Sequence, residues 1–178
     1  TASSSILTIT SGVSGESLSL TGSGVLGAAS AGTQTITNNN TLAIADGSGL
    51  ASNYTLSGAT INVTIIPRTL NVSLSREYDG TTTVSGALLT PTFDSLQGGE
   101  TLALSGLGSV ASANVGSSKA VTLGTVALAA GSGNPSNYTL NSATMNITQR
   151  VINLDGIRAY DASTNVLSSD INTFGNIV

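Results

Sequence analysis

The chain has 178 residues, of which 8% are charged, 3% aromatic and 39% hydrophobic, and it contains no cysteine, histidine or tryptophan. This hydrophobic fraction can form a thin core, so the composition favours a folded chain over a disordered one. With 5 basic and 9 acidic residues, and no apolar run of about 18 residues, we predict neither nucleic-acid binding nor membrane insertion.

Apolar residues alternate with serine, threonine or asparagine along most of the chain. In chain order the alternating groups are Leu18 and Leu20; Leu42 and Ile44; Ile61, Val63 and Ile65; and Leu70, Val72 and Leu74. A period of two is typical of half-buried strands, and the glycine- and serine-rich segments between them, such as residues 46–49 and 131–135, are typical of turns. The pattern predicts an all-β chain of small tandem antiparallel units, each sandwich-like.

Two other folds remain open at this point. A β-grasp-like unit needs a short helix, and residues 90–96 are the one weak candidate for it. A parallel β-helix needs a repeat of about 20 residues, which the sequence does not show.

The sequence matches itself at a constant offset. The segment that begins at Gly15 (GESLSLTG) aligns with the one that begins at Gly99 (GETLALSG), and at the same offset Ser-Asn-Tyr-Thr-Leu occurs at residues 52–56 and 136–140. After residues 65 and 66 the offset becomes slightly shorter, which aligns Arg76 with Arg158.

We therefore predict the C-terminal part of one unit at residues 1–66, a complete unit at 67–149 and the N-terminal part of a third at 150–178. The first residue is Thr1, not methionine, so we expect a piece of a longer tandem array. In such an array each unit contacts mainly its neighbours.

Two motifs lie at repeated positions, and together they contain all four tyrosines. They are Arg-x-Tyr-Asp-Gly at Arg76, Tyr78, Asp79 and Gly80, with Tyr160, Asp161 and Ala162 in the next copy, and Asn-Tyr at Asn53 and Tyr54, then at Asn137 and Tyr138.

The Asp-Gly pair predicts a turn in which the carboxylate accepts backbone N–H groups and pairs with Arg76. We expect the tyrosines to supply core bulk, with Tyr54 and Tyr138 in equivalent buried positions. The functional alternative is an aromatic platform for carbohydrate.

The sequence contains few of the side chains that catalysis requires. A hydrolase needs a nucleophile with a base, or two carboxylates at a fixed separation. The pair Glu77 and Asp79 is not repeated, because Ala159 replaces the glutamate in the next copy. Calcium needs several converging carboxylates, and no Asp-x-Asp-x-Asp run occurs. We predict no enzyme activity, catalytic residue, cofactor or metal site.

The segment Tyr-Asp-Gly-Thr-Thr at residues 78–82 is followed, later in the central unit, by Asn-Tyr-Thr-Leu at 137–140 and by an apolar strand that ends at Gln149. This arrangement resembles the YDG-type repeats, relatives of the glycine-rich MBG repeats, of hemagglutinin-like exoproteins of two-partner secretion. The resemblance covers the central unit and both partial ones. Ala162 departs from it and leaves the third turn's type open.

The resemblance implies a stalk or spacer module of a large bacterial adhesin, on the cell surface or secreted, with the binding tip elsewhere. Some adhesins of this kind are glycosylated at Asn-x-Ser/Thr before export. The simpler interpretation is that asparagine and threonine are abundant and were copied with the repeat. The candidate asparagines are Asn39, Asn53, Asn62, Asn71, Asn137 and Asn146.

The leading hypothesis is thus a structural spacer whose partners are neighbouring repeats of the same protein. The alternative is a module that binds a host or matrix glycan or protein directly, or a filament subunit that self-associates head to tail.

Overall fold

The computed structural model describes residues 1–9, 13–57, 59–175 and 177–178. These residues form β-strands and short 3-10 turns, and they contain no α-helix. The 3-10 turns lie at Ser4–Ile6, Ala51–Asn53, Gly86–Leu88, Pro135–Asn137 and Ser168–Asp170. The all-β prediction is confirmed. In the same residues no helix is long and apolar enough to cross a membrane.

The chain divides into two units. The first comprises Thr1–Arg68 with Ser136–Tyr138, and the second Thr69–Pro135 with Thr139–Val178.

Short strands form two antiparallel sheets in the first unit. They are β1 (Ala2–Ser3), β2 (Leu18–Thr21), β3 (Ser23–Leu26), β4 (Gly32–Asn38), β5 (Ala43–Asp46) and β6 (Asn62–Ile65). One sheet has the order β1-β3-β4-β6, and the other pairs β2 with β5. The buried hydrophobic residues of this unit's core are Ala2, Ile36 and Leu42.

Longer strands form a larger sheet in the second unit. The strands are β7 (Arg68–Glu77), β8 (Thr83–Ser85), β9 (Thr92–Phe93), β10 (Leu102–Ser105), β11 (Leu107–Val110), β12 (Gly116–Thr122), β13 (Ala127–Ala130), β14 (Tyr138–Thr148), β15 (Asn153–Gly156) and β16 (Ile171–Gly175). Six of them form a sheet in the order β8-β11-β12-β14-β7-β9, while β10 pairs with β13 and β15 with β16.

The core of the second unit follows from the alternation in β7. Leu70, Val72 and Leu74 are buried, whereas the residues between them are exposed. Val72 and Leu74 pack in one cluster with Met145 and Ile147 of β14, together with Val84, Leu104, Val110, Val126 and Ala143. Burial of these side chains is the main source of stability in a unit with so few aromatic residues.

Strands β7 and β14 lie side by side and run parallel. Near the start of both, the Asn71 side-chain oxygen accepts hydrogen bonds from Asn141 Nδ2 (3.0 Å) and Ser142 Oγ (2.8 Å). Near their ends, the Tyr78 N–H donates to the Thr148 carbonyl (3.0 Å). The pairings that surround them, β12 with β14 and β7 with β9, are antiparallel.

The sequence repeat is also a structural repeat. Strands β2, β3, β4 and β5 and the turn Ala51–Asn53 have counterparts, at the offset of the sequence repeat, in β10, β11, β12, β13 and Pro135–Asn137, each of the same length. The strand register is copied too, since Leu18 faces Asp46 and Leu102 faces Ala130.

A tight connection recurs at Gly22 and Gly106, whose φ angles are 78° and 77°. A Cβ atom at either glycine would lie 2.0 Å from a carbonyl oxygen, that of Thr41 or of Thr125. Only glycine fits this close approach.

The prediction of a short helix at residues 90–96 is wrong, because this segment contains β9. Phe93 faces Val72 across the sheet and packs against the core. Such a short helix is marginal by itself, so pairing with β7 decides the local conformation. The antiparallel pairings also argue against a parallel β-helix.

Candidate functional site

The Arg76 motif forms the turn between β7 and β8. Asp79 Oδ1 accepts hydrogen bonds from the Thr81 backbone N–H and hydroxyl, both at 2.9 Å. Gly80 has a φ of 75°, in the left-handed region. The predicted turn with a locally bonded carboxylate is confirmed.

Arg76 is held inside this turn. Its guanidinium donates to the Thr83 carbonyl (2.6 Å) and the Thr81 hydroxyl (3.1 Å), and lies 3.1 Å from Asp79 Oδ2. The Thr81 backbone N–H, helped by the Arg76 charge, holds the pKa of Asp79 below its ordinary value. The charged groups of this motif are thus engaged with one another and with backbone, as in a structural turn.

The same turn occurs at the start of the third repeat. Asp161 Oδ1 accepts from the Ser163 N–H (2.9 Å), Arg158 Nη1 lies 3.7 Å from Asp161 Oδ2, and Arg158 also donates to the carbonyls of Ser163 and Asn165. Ala162 takes the place of glycine with a φ of 62°. The turn geometry is therefore kept, with an alanine in a backbone region that L-residues rarely adopt.

The Asn-Tyr motif differs between its two copies. Tyr138 is 7% exposed, whereas Tyr54 is only half-buried. Equal burial of these two rings was therefore the wrong expectation, although both follow a 3-10 turn at matching places in the repeat. A core role was also the wrong expectation for Tyr160, which is 95% exposed. The strands explain the difference, because Tyr138 is the first residue of β14, whereas Tyr54 lies outside a strand and β6 begins only at Asn62.

Tyr54 is bonded to a glutamate, and a glutamate occupies the equivalent position, Glu100, in the next repeat. The Tyr54 hydroxyl donates to Glu16 Oε2, and this hydrogen bond raises the pKa of Tyr54. A Cβ atom at Gly49 would lie 2.7 Å from Glu16 Oε2, and one at Gly133 would lie 2.9 Å from Glu100 Oε2. A larger residue at either glycine would have to displace the end of the glutamate side chain.

The asparagines of this motif lie in the 3-10 turns. Asn53 is exposed, and Asn137 Oδ1 accepts the Ala31 N–H at 2.8 Å, a contact within the first unit, which includes Ser136–Tyr138. Both asparagines belong to loop segments. The hydrogen bond of Asn137 joins its own loop to the loop that contains Ala31, so its role is structural.

The six glycosylation candidates divide by exposure. Asn53, Asn62 and Asn71 are exposed, and Asn39, Asn137 and Asn146 are half-buried. Asn62 and Asn146 also accept hydrogen bonds from Thr35 Oγ1 (2.9 Å) and the Ser118 N–H (2.7 Å). Modification at these positions stays a prediction.

Two sets of hydrogen bonds were not predicted from the sequence. Asp94 accepts from the Asn71 N–H (3.1 Å) and Nδ2 (2.8 Å), and these bonds lower the pKa of Asp94. A hydroxyl clasp joins Ser17 to Ser48 and recurs as Thr101 with Ser132, each at 3.2 Å. The repeat offset contained the signal for the clasp, since both of its members recur at that spacing.

A groove with a volume of about 500 Å³ lies beside the repeated turn in the second unit. Its lining is mostly apolar and consists of Tyr78, Val115, Gln149, Arg150, Val151, Ile152, Ile177 and Val178. Over the described ranges of the chain, histidine, cysteine, aspartate and glutamate form no group of three that could hold a metal ion.

Comparison with known families matches the YDG domain over residues 62–145. No curated protein and no solved structure matches the chain. The matched range includes β6, the Arg76 turn and β7 to β13, and it ends inside β14. Residues 62–145 therefore contain a YDG domain.

Proposed function

We propose that this chain is a stalk segment: tandem non-catalytic β-units that hold a binding region of a bacterial adhesin away from the cell. The observation that carries this proposal is the copying of four strands and one turn at one constant spacing along the chain. Repetition of a whole fold adds length without adding a new site.

The chemistry of the repeated residues supports the same function. Arg76, Asp79 and Thr81 are bonded to one another, and Tyr54 is bonded to Glu16. Polar groups that satisfy each other maintain a turn or loop and offer a ligand little. The partners we propose are neighbouring repeats, and the location is the bacterial surface or the secreted fraction, as in the hemagglutinin-like proteins that the motif resembles.

Addition of further units tests this function directly. One or two extra copies of residues 67–149 would be inserted after Gln149, and the maximum dimension would be measured by small-angle X-ray scattering. We expect a constant increase per copy. Compaction into a globule, in which the radius of gyration grows only as about the 0.38 power of chain length, would contradict the proposal.

A second candidate is direct recognition of a glycan or protein segment in the groove beside Tyr78. Its mostly apolar lining with one tyrosine favours this alternative. Glycan-array and peptide-array screening of the chain, with Tyr78→Ala as the comparison variant, tests it. Binding that disappears in a folded Tyr78→Ala chain would favour recognition over spacing.

A further inference from the structure

The central repeat, residues 67–149, places its first and last strands next to each other. The chain enters this unit through β7 and leaves through β14, and the two are neighbours in the six-stranded sheet. Only Ile66 and Pro67 separate β6 from β7. Tension along the backbone therefore arrives at the start of β7 and leaves at the end of β14.

The parallel direction of these strands decides how tension acts on them. The start of β7 and the end of β14 lie at opposite ends of the pair, as the contacts of Asn71 with Ser142 and of Tyr78 with Thr148 show. A pull on these two points slides the strands past each other, so the hydrogen bonds between them are loaded together. In a hairpin pulled at its open end, the bonds would instead break one after another.

Further contacts reinforce this pair. With 10 and 11 residues, β7 and β14 are the longest strands in the part of the chain that the structure describes. The Thr148 hydroxyl donates to the Arg76 carbonyl (3.3 Å), and Asn71 links the opposite end. Val72 and Met145 lie in the same core cluster, so sliding would also disturb apolar packing.

We propose that β7 and β14 form a mechanical clamp, a pair of strands loaded in shear that resists unfolding when the array is pulled from its ends. The clamp is a property of the sheet, and only its biological purpose rests on the proposed stalk function.

Single-molecule pulling in two directions tests the clamp. The chain has no cysteine, so handles can be attached at introduced ones. Arg68→Cys with Gln149→Cys loads the pair in shear, and Glu77→Cys with Gln149→Cys pulls apart two adjacent ends of the same strands. All three positions are exposed.

We expect a several-fold higher unfolding force in the shear direction. The roughly 80 residues between the shear handles should release about 280 Å of extended chain, which identifies the unit that unfolds. Equal forces in the two directions would overturn the clamp. The scattering experiment on longer arrays is separate, so failure of the clamp and failure of the stalk function can be distinguished.

Asn71→Ala sharpens the test. It removes the acceptor of two bonds at the shear-loaded end, so it should lower the shear force and leave the force in the peeling direction unchanged. Asn153→Ala is the matched control, because Asn153 occupies the equivalent position in the third repeat, in β15. An equal drop in both variants, or a drop in both pulling directions, would mean a general loss of stability and would overturn the assignment.

Discussion

The first unit and the second differ most in the strand that precedes the repeated region. The second unit contains β7, and against it β14 buries Ala143, Met145 and Ile147. The equivalent residues in the first unit are Ala59, which is exposed, and Ile61 and Val63, which are half-buried. Similar sequences thus differ in burial because β14 has β7 on its second side, whereas β6 has a strand on one side only.

The third repeat gives the complementary case. Strand β15 aligns with β7, yet all residues from 151 to 169 are exposed, including Leu154, which is the counterpart of the buried Val72. Within the described residues β15 pairs with β16, and β6 is an edge strand of its sheet. In these two repeats the apolar strand pattern therefore stays exposed or half-buried where the strand that would cover it is absent.

The largest expected difference concerns one core position in the two units. Met145→Ala should destabilise the second unit by about 3 kcal/mol, since a fully buried side chain is lost and a cavity remains. Ile61→Ala, at the equivalent position of the first unit, should cost only about 1 kcal/mol because this side chain is already half-exposed. Hydrogen exchange of each unit, measured across a urea series, gives the loss of stability in both variants. Equal losses would contradict the comparison.

The missing strand can be supplied from outside. A peptide copying residues 68–79 should add beside β6 and protect residues 62–65 from hydrogen exchange, and at ten times its Kd it should stabilise the first unit by about 1.4 kcal/mol. A control peptide with Leu70, Val72 and Leu74 replaced by asparagine should not bind.

The same logic predicts association of the chain with itself, since β15 of one copy can serve as the missing strand of another. Light scattering over a concentration series should show a rising mass, which disappears when residues 151–178 are deleted. A constant monomer mass would contradict this prediction.

The Asp79 turn should respond more weakly. Asp79→Leu removes the acceptor of the Thr81 N–H and should cost about 1 kcal/mol, whereas Asp79→Asn keeps an oxygen there and should cost less. Because the pKa of Asp79 lies below its ordinary 3.8 in the folded chain, the carboxylate contributes stability above that pH and loses it as the pH falls through the folded value. Asp79→Asn should therefore weaken the acid sensitivity of urea unfolding. Identical stability of the leucine and asparagine variants would remove the role of this acceptor.

Effects of at most the same size are expected at the residue that follows the aspartate. Gly80→Ala should cost about 1 kcal/mol because it places a side chain at a φ of 75°. Ala162→Gly should relieve similar strain, offset in part by the greater freedom of glycine in the unfolded chain, and should gain a few tenths of a kcal/mol. Hydrogen exchange of the two turns measures the change in stability in both variants. A loss of protection in Ala162→Gly would contradict the claim that Ala162 is strained.

Local patterns in the sequence were sufficient for the all-β class, for β7, for the repeat and for the Arg76 turn. Alternation identified β7, and the repeat offset identified the repeated strands. Asp-Gly predicted a carboxylate that accepts backbone N–H groups, and Asp79 accepts that of Thr81. Each of these depends on residues that are close in the chain or on a comparison of the chain with itself, so no knowledge of distant contacts is required.

Tertiary structure alone decided the rest. The parallel pairing of β7 with β14 joins residues that are far apart in the chain, as in the bond between Asn71 and Asn141, and no local pattern specifies such a partner. The strand at Thr92–Phe93, the unequal burial of Tyr54 and Tyr138, and the exposure of β15 all follow from which strands are neighbours. The physical reason is that a period of two records which face of a strand is apolar, whereas burial depends on the partners that cover this face.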